Sequence, residues 1–216
     1  MLSFYTGVYM GANGIETDVQ VTKDGVLVLF HDDTLDRVTG ESGAIKDYTY
    51  EELSKFFVYN GSLKDKIPTF EDFLVHFKHF DLTFAIELKV GGIEKDVADM
   101  IVKHGVQDIV IVTSFNFDYI KKIKEYKPSF RVGYLTYGMD NSVNESLKNI
   151  GGYEICPKAS LISKKDVEKW HKLGFNVRVW GVSDEMVMKN AVSNNVDGMT
   201  VNFPDKLTEY LLNYEK

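Results

Sequence analysis

The feature that most constrains this chain is a rhythm. Short runs rich in Val, Ile, Leu or Thr lie at 15–20, 26–30, 83–89, 109–114, 131–135, 153–156, 176–182 and 198–201. Most are separated by segments whose apolar residues fall at helical spacing. Phe70, Phe73, Leu74 and Phe77 form one stripe, and Val97, Met100, Ile101 and His104 a second. Ile120, Ile123 and Tyr126 follow, then Val167, Trp170 and Leu173. Apolar residues three and four apart share one face of a helix, so these stripes read as core. Thr69 and Ser163 stand where helix caps belong, and Gly105 and Gly174 where helices stop. Strands alternating with helices predict an α/β protein with a mostly parallel sheet inside its helices.

Two architectures meet that rule, an open doubly wound sheet and a closed barrel. No G-x-G-x-x-G follows an early strand, so the usual dinucleotide signal is missing. The two faces of the strands favour the barrel. In "GIETDVQV", Ile15, Thr17 and Val19 share one face; Glu16, Asp18 and Gln20 share the other. In "AIELKV", Ile86 and Leu88 oppose Glu87 and Lys89, and in "NVRVWGV", Val177 and Val179 oppose Arg178 and Trp180. An open sheet covered on both faces is apolar on both. A barrel turns its apolar face to the helices and keeps functional groups inside, near the C-terminal strand ends.

Composition sets the outer bounds. The 216 residues carry a net charge of −7, which argues against a nucleic-acid binder, since that would show a basic face. No apolar run is long enough for a membrane span. No secretory leader is visible, and the single cysteine, Cys156, rules out an intramolecular disulfide and suits a reducing compartment. A cytoplasmic location is the expectation, with Cys156 as a small buried residue rather than a nucleophile.

Glu16, Asp18 and Glu87 would meet at one mouth of such a barrel. Three carboxylates in a confined space repel one another unless one keeps its proton or a cation enters. An all-oxygen set selects a hard divalent ion, Ca²⁺ or Mg²⁺. Lys89, on the same face as Glu87, can meet a phosphate oxygen. Trp180 offers a flat wall for the organic part of a substrate. His31 ends the strand after the Lys23-Asp24-Gly25 turn and can move a proton near neutrality. Cation, Lys and His together suit phosphoryl transfer. From the pattern alone the same residues also read as solvated strand ends, a Glu87–Lys89 ion pair and a structural histidine. His76, His79, His104 and His171 lie on helical segments and read as surface or packing residues.

The stretch "GANGIETDVQVTKDGVLVLFHDDTLDR", followed in order by "IPTFEDF", "IELK", "TSFN", "RVGYL", "VWGVSD" and "VDGMTVNFPD", resembles the glycerophosphodiester phosphodiesterase family. The likeness runs over nearly the whole chain, and the E-x-D, H-D and E-L-K segments carry most of it. It implies a TIM-type (β/α)8 barrel with a small inserted cap after the second barrel strand, roughly 33–66, the whole of 1–216 forming one domain. It implies a divalent cation on Glu16, Asp18 and Glu87, acid/base catalysis by His31, Lys89 on the phosphate and Trp180 on the glycerol side. The implied reaction cleaves a small-molecule glycerophosphodiester into glycerol 3-phosphate and an alcohol. The family opens with an H-R-G strand and a P-E-N-T segment, whereas this sequence opens with "MLSFYTGVYMGANGIETD". The barrel is therefore expected to lack its first strand, with a second histidine, an arginine and a glutamate of the site. Unpaired edges of that kind favour self-association. Two functional readings follow: a metal-dependent phosphodiesterase, impaired as it stands, or a non-catalytic barrel that binds metal and a phosphorylated ligand.

Overall fold

The structure is a computed structural model that describes residues 1–138 and 141–214. In chain order it runs α1 (Leu2–Tyr9), β1 (Gly14–Val21), β2 (Leu27–Leu29), α2 (Asp36–Thr39), α3 (Tyr50–Leu53), β3 (Val58–Asn60), β4 (Leu63–Asp65), α4 (Phe70–Phe77), β5 (Thr83–Leu88) and α5 (Glu94–His104). Then follow β6 (Val110–Ser114), α6 (Phe117–Tyr126), β7 (Arg131–Thr136), α7 (Asn141–Asn149), β8 (Glu154–Pro157), α8 (Lys164–Lys172), β9 (Asn176–Val179), α9 (Glu185–Ser193), β10 (Gly198–Met199) and α10 (Pro204–Tyr214). Local chemistry sets many of these limits. Thr69 accepts a hydrogen bond from the Asp72 N–H at the start of α4. The Asp166 carboxylate accepts from the Ser163 N–H at 2.9 Å at the start of α8, and Gly105 ends α5 in the left-handed conformation.

One curled sheet organises the chain, in the order β10-β9-β8-β7-β6-β5-β1-β2. Every neighbouring pair is parallel except β1 with β2, which form an antiparallel hairpin. This is the barrel-type α/β architecture that the two-faced strands predict. The outward side chains Ile86, Leu88, Val112, Val132, Val177 and Val179 join Phe73, Phe77, Val97, Ile101, Ile120, Val167 and Trp170 in one apolar core. The opposite face carries Glu16, Asp18, Glu87, Thr113, Glu154 and Arg178. The register lays part of that face out as a row: Asp18 beside Glu87, Glu87 beside Thr113, Thr113 beside Gly133, Gly133 beside Glu154.

Among the described residues the sheet does not close on itself. β2 pairs with β1 only from Val19 onward, and no strand pairs with the outer edge of β10. Near this seam α1 and α10 lie on the main core through Met1, Phe4, Val8, Leu207 and Tyr210. The Thr208 hydroxyl donates to the Gly11 carbonyl at 3.5 Å and ties the two segments together.

Several strands are shorter than the sequence suggests. The 176–182 run stops at Val179, because the chain bends at Gly181, with φ of 69°, after a single bridge between Trp180 and Lys158. The 26–30 run pairs only over Leu27–Leu29, and the 198–201 run only over Gly198–Met199. Residues 33–66 hold α2, α3 and the β3–β4 hairpin over a second apolar cluster of Val28, Phe30, Leu35, Ile45, Leu53 and Ile67. Among the described residues no helix is long and apolar enough to cross a membrane.

Phe73 is the hinge of the core under α4. It is fully buried and meets Phe4 at 5.2 Å, Phe77 at 5.3 Å and Phe84 at 5.0 Å between ring centroids. Phe73→Ala removes these ring contacts and leaves a cavity, so it should lower stability by about 3–5 kcal/mol. Urea unfolding followed by circular dichroism checks this; a loss below about 1 kcal/mol would mean that the site collapses freely.

Candidate metal centre and active site

Glu16 and Asp18 stand two residues apart on β1, so both point to the inner face. Parallel pairing sets Glu87 of β5 directly beside Asp18. Oxygen atoms of the three carboxylates lie within 4.8 Å of one another. Lys89, just past the end of β5, places its Nζ 3.2 Å from Glu87 Oε1 and 3.7 Å from Asp18 Oδ1. Asp18 Oδ1 is buried and accepts no hydrogen bond. A buried carboxylate oxygen without a donor is expensive, and it is the kind of atom that a cation satisfies.

The electrostatics carry the same strain. Burial, with the Asp18 charge added, pushes the Glu16 carboxyl up to about 8, against the opposing pull of Arg178. Asp18 and Glu87 are also raised, each mainly by burial. Burial pulls Lys89 down, but the charges of Glu87 and Asp18 outweigh it and hold the ammonium above its ordinary range. One lysine does not balance three carboxylates. The remaining negative charge calls for protons or for a hard cation, and the all-oxygen donor set fits Ca²⁺ or Mg²⁺.

His31 follows β2. Gln20, on the inner face of β1, donates its amide to the carbonyls of Phe30 and Asp32, both at 2.8 Å, and so fastens the segment that carries the imidazole. His31 Nδ1 lies 2.7 Å from Asp32 Oδ1. Arg37 donates to both oxygens of Asp32, at 2.6 and 2.9 Å, and these bonds hold that carboxyl down at about 2. The His31 side chain is 69% exposed, and its charge is felt at Asp18 and Glu87 without direct contact. Arg37 is a residue that sequence reading missed, although it closes the "HDDTLDR" segment.

Trp180 stands on the other arc of the sheet, after β9, and donates its indole N–H to the Thr136 carbonyl at 3.3 Å. It is not alone. Phe115 and Tyr137 meet it edge to face at 5.0 and 4.7 Å and stack on each other at 5.2 Å. Lys158 Nζ lies 5.7 Å from the Trp180 ring. Phe115 and Tyr137 each stand directly after the last residue of a strand, a position that could have flagged them in the sequence.

Below this rim Arg178 pairs with Glu154 at 3.0 Å and donates to the Thr200 hydroxyl at 2.9 Å and to Cys156 Sγ at 3.5 Å. The Cys156 thiol donates to Glu154 Oε2 at 3.1 Å, and burial pushes its pKa well up, which fits an inert buried thiol. His104 and His171 pair with Glu71 and Asp197, and His76 meets the Asp72 carbonyl, all away from the carboxylate cluster.

Comparison with known proteins gives this arrangement its context. A profile of the Glycerophosphoryl diester phosphodiesterase family matches residues 1–206. A glycerophosphodiester phosphodiesterase of Bacillus altitudinis is 33% identical, with 95% of this chain and 89% of that one covered. One from Caldanaerobacter subterraneus is 31% identical, over 95% and 88%. Among solved structures, a putative glycerophosphodiester phosphodiesterase from Galdieria sulphuraria shares the fold at a TM-score of 0.88, with 24% identity over 97% of this chain and 89% of that one. A phosphodiesterase from Oleispira antarctica, in complex with the product sn-glycerol-3-phosphate, matches at 0.86, with 22% identity over 97% and 88%. The profile match over nearly the full length, together with relatives above 30% identity, places the chain in the glycerophosphoryl diester phosphodiesterase family.

Proposed function

We propose that this chain is a metal-dependent phosphodiesterase that hydrolyses glycerophosphodiesters to sn-glycerol 3-phosphate and an alcohol. The observation that carries the reading is the triad of carboxylates within 4.8 Å, Asp18 and Glu87 buried and Glu16 half-buried, one of whose oxygens, Asp18 Oδ1, has no hydrogen-bond partner. Glu16, Asp18 and Glu87 would hold Ca²⁺ or Mg²⁺. When bound, such an ion offsets the charge that develops on the phosphoryl oxygens.

The remaining roles belong to the side chains around the triad. Lys89, kept protonated by Glu87 and Asp18, adds a second positive group for the phosphate. His31 engages Asp32 through Nδ1, which leaves Nε2 to pass a proton to the departing alcohol oxygen as its P–O bond breaks, while a water completes the hydrolysis, its oxygen forming the new bond to phosphorus and its proton replacing the one the imidazole gave. Arg37 keeps Asp32 ionised and so keeps the imidazole oriented. Trp180, with Phe115 and Tyr137, forms the wall for the organic part of the substrate. Residues 33–66 act as a small cap on a single domain. The lone buried Cys156 suits a reducing, cytoplasmic setting. The part of β1 before Val19 that β2 leaves unpaired, and the outer edge of β10, are where copies would associate.

A second reading has one observation in its favour. His31 is largely exposed and is the only histidine beside the carboxylates among the described residues, which also suits a barrel that binds metal and a phosphorylated ligand without turnover.

Three measurements test the proposal, and turnover separates the two readings. Glu87→Ala should abolish Ca²⁺ and Mg²⁺ binding in calorimetric titration; binding equal to the parent's removes the proposed centre. His31→Ala should leave that binding intact and lower hydrolysis of glycerophosphocholine by about 10²–10⁴-fold, read through coupled detection of glycerol 3-phosphate. A parent that binds the cation but releases no product supports the non-catalytic barrel instead.

The third concerns protons. The Glu16 carboxyl titrates at about 8 when folded and near 4.5 when unfolded. Between these values the folded chain holds more protons, so stability without cation should fall as pH rises through that window. A cation must displace the Glu16 proton, so affinity should rise towards pH 8 with proton release. Thermal unfolding in chelator, and calorimetry in buffers of different ionisation enthalpy, test both signs. A flat affinity profile would show that Glu16 is not a ligand.

A further inference from the structure

We infer that Thr113 is a positioning residue of the cation centre, its hydroxyl holding a water of the cation's hydration shell on the β6 side of Glu87. The inference rests on the metal-dependent reading above.

Thr113 is fully buried, at 0% exposure, and its hydroxyl has no hydrogen-bond partner among the described residues. The contrast with the next residue is sharp: Ser114 donates to the Leu88 carbonyl at 2.8 Å and accepts from the Asn116 N–H at 3.1 Å. Leaving a buried hydroxyl unpaired is costly, and in folded proteins such groups find protein or water.

The placement of Thr113 says which partner it lacks. It is the register partner of Glu87, and Glu87 is the register partner of Asp18. Val112 and Ile86 pack into the outer core, so Thr113 and Glu87 share the inner face. The Thr113 methyl takes the side of β7: a Cβ built on Gly133 would lie 3.1 Å from it and 3.1 Å from Glu154 Oε2. The hydroxyl branch is thus left free of β7.

Two buried orphan atoms, Asp18 Oδ1 and Thr113 Oγ1, therefore stand on either side of Glu87 in one row across three strands. One hydrated ion accounts for both. Mg²⁺ and Ca²⁺ keep waters alongside their carboxylates, and a buried water needs two or more polar partners. Asp18 would meet the ion itself, and Thr113 one of its waters.

Two variants test this on the whole chain: Thr113→Val, which keeps the shape and deletes the hydroxyl, and Thr113→Ser, which keeps the hydroxyl. Mg²⁺ and Ca²⁺ are titrated by calorimetry, and thermal unfolding is followed in chelator. Thr113→Val should weaken cation binding about tenfold, the usual effect of losing an outer-shell partner, while Thr113→Ser stays within about twofold of the parent. The melting temperature of Thr113→Val in chelator should be unchanged or higher, because an unpaired buried hydroxyl has gone. A purely structural hydroxyl would give the opposite pair, lower melting temperature with cation affinity intact. A Thr113→Val chain that binds cation like a binding parent overturns the role of Thr113 alone, as does a Thr113→Ser chain that fails as badly as Val. A parent that binds neither ion overturns the metal reading itself.

Discussion

Parallel pairing between β1 and β5 is the constraint on which the rest of the site depends. It sets Asp18 beside Glu87 and, with Glu16 two residues earlier, compresses three carboxylates into one small volume. Such an arrangement is unfavourable in isolation. Burial raises all three groups, and Lys89 offsets only part of their mutual repulsion. A fold that keeps this arrangement keeps an internal demand for positive charge. Sites that bind and polarise phosphate are built on that demand.

The remainder of the molecule can be understood as what holds β1 and β5 in register. Outside the sheet, Ile15, Val19, Ile86 and Leu88 are packed by α4 and α5 through Phe73, Phe77, Val97 and Ile101. Inside, the polar groups of β8 and β9 satisfy one another. Arg178 joins Glu154, Thr200 and Cys156 in a single buried network, so a charged layer survives beneath the rim. Such a pair is weak evidence for stability, since desolvation offsets much of its attraction. Its field at Glu16 is a separate matter, because Arg178 is the cation that most opposes the upward push on that carboxyl.

The segment after β2 couples the second cluster to the first. Gln20 belongs to the inner face of β1 and grips the backbone on either side of His31. Asp32 and Arg37 then fix the imidazole from the solvent side. The position of His31 is therefore set by polar contacts through Gln20, Asp32 and Arg37 rather than by packing, which is consistent with its exposure. The aromatic group of Phe115, Tyr137 and Trp180, at the ends of β6, β7 and β9, is organised differently, mainly by ring contacts.

Much of this was legible in the sequence, for a definite reason. A period of two in "GIETDVQV" and "AIELKV" separates the faces of a strand whatever its partners, and stripes at helical spacing declare the outer layer. The barrel-type α/β class and the inward placement of Glu16, Asp18 and Glu87 follow from those local periods. Other features depend on which strands become neighbours, and no local pattern encodes that. The unpaired oxygens of Asp18 and Thr113, the Glu154–Arg178 network across β8 and β9, and the gathering of Phe115 and Tyr137 onto Trp180 all join residues far apart in the chain. Strand ends were misjudged at Val179 and Met199 because pairing, not propensity, decides where a strand stops. The sequence by itself determined which residues face inward; the tertiary structure alone decided which of them meet, because side-chain direction is a property of the local backbone and contact is a property of the register.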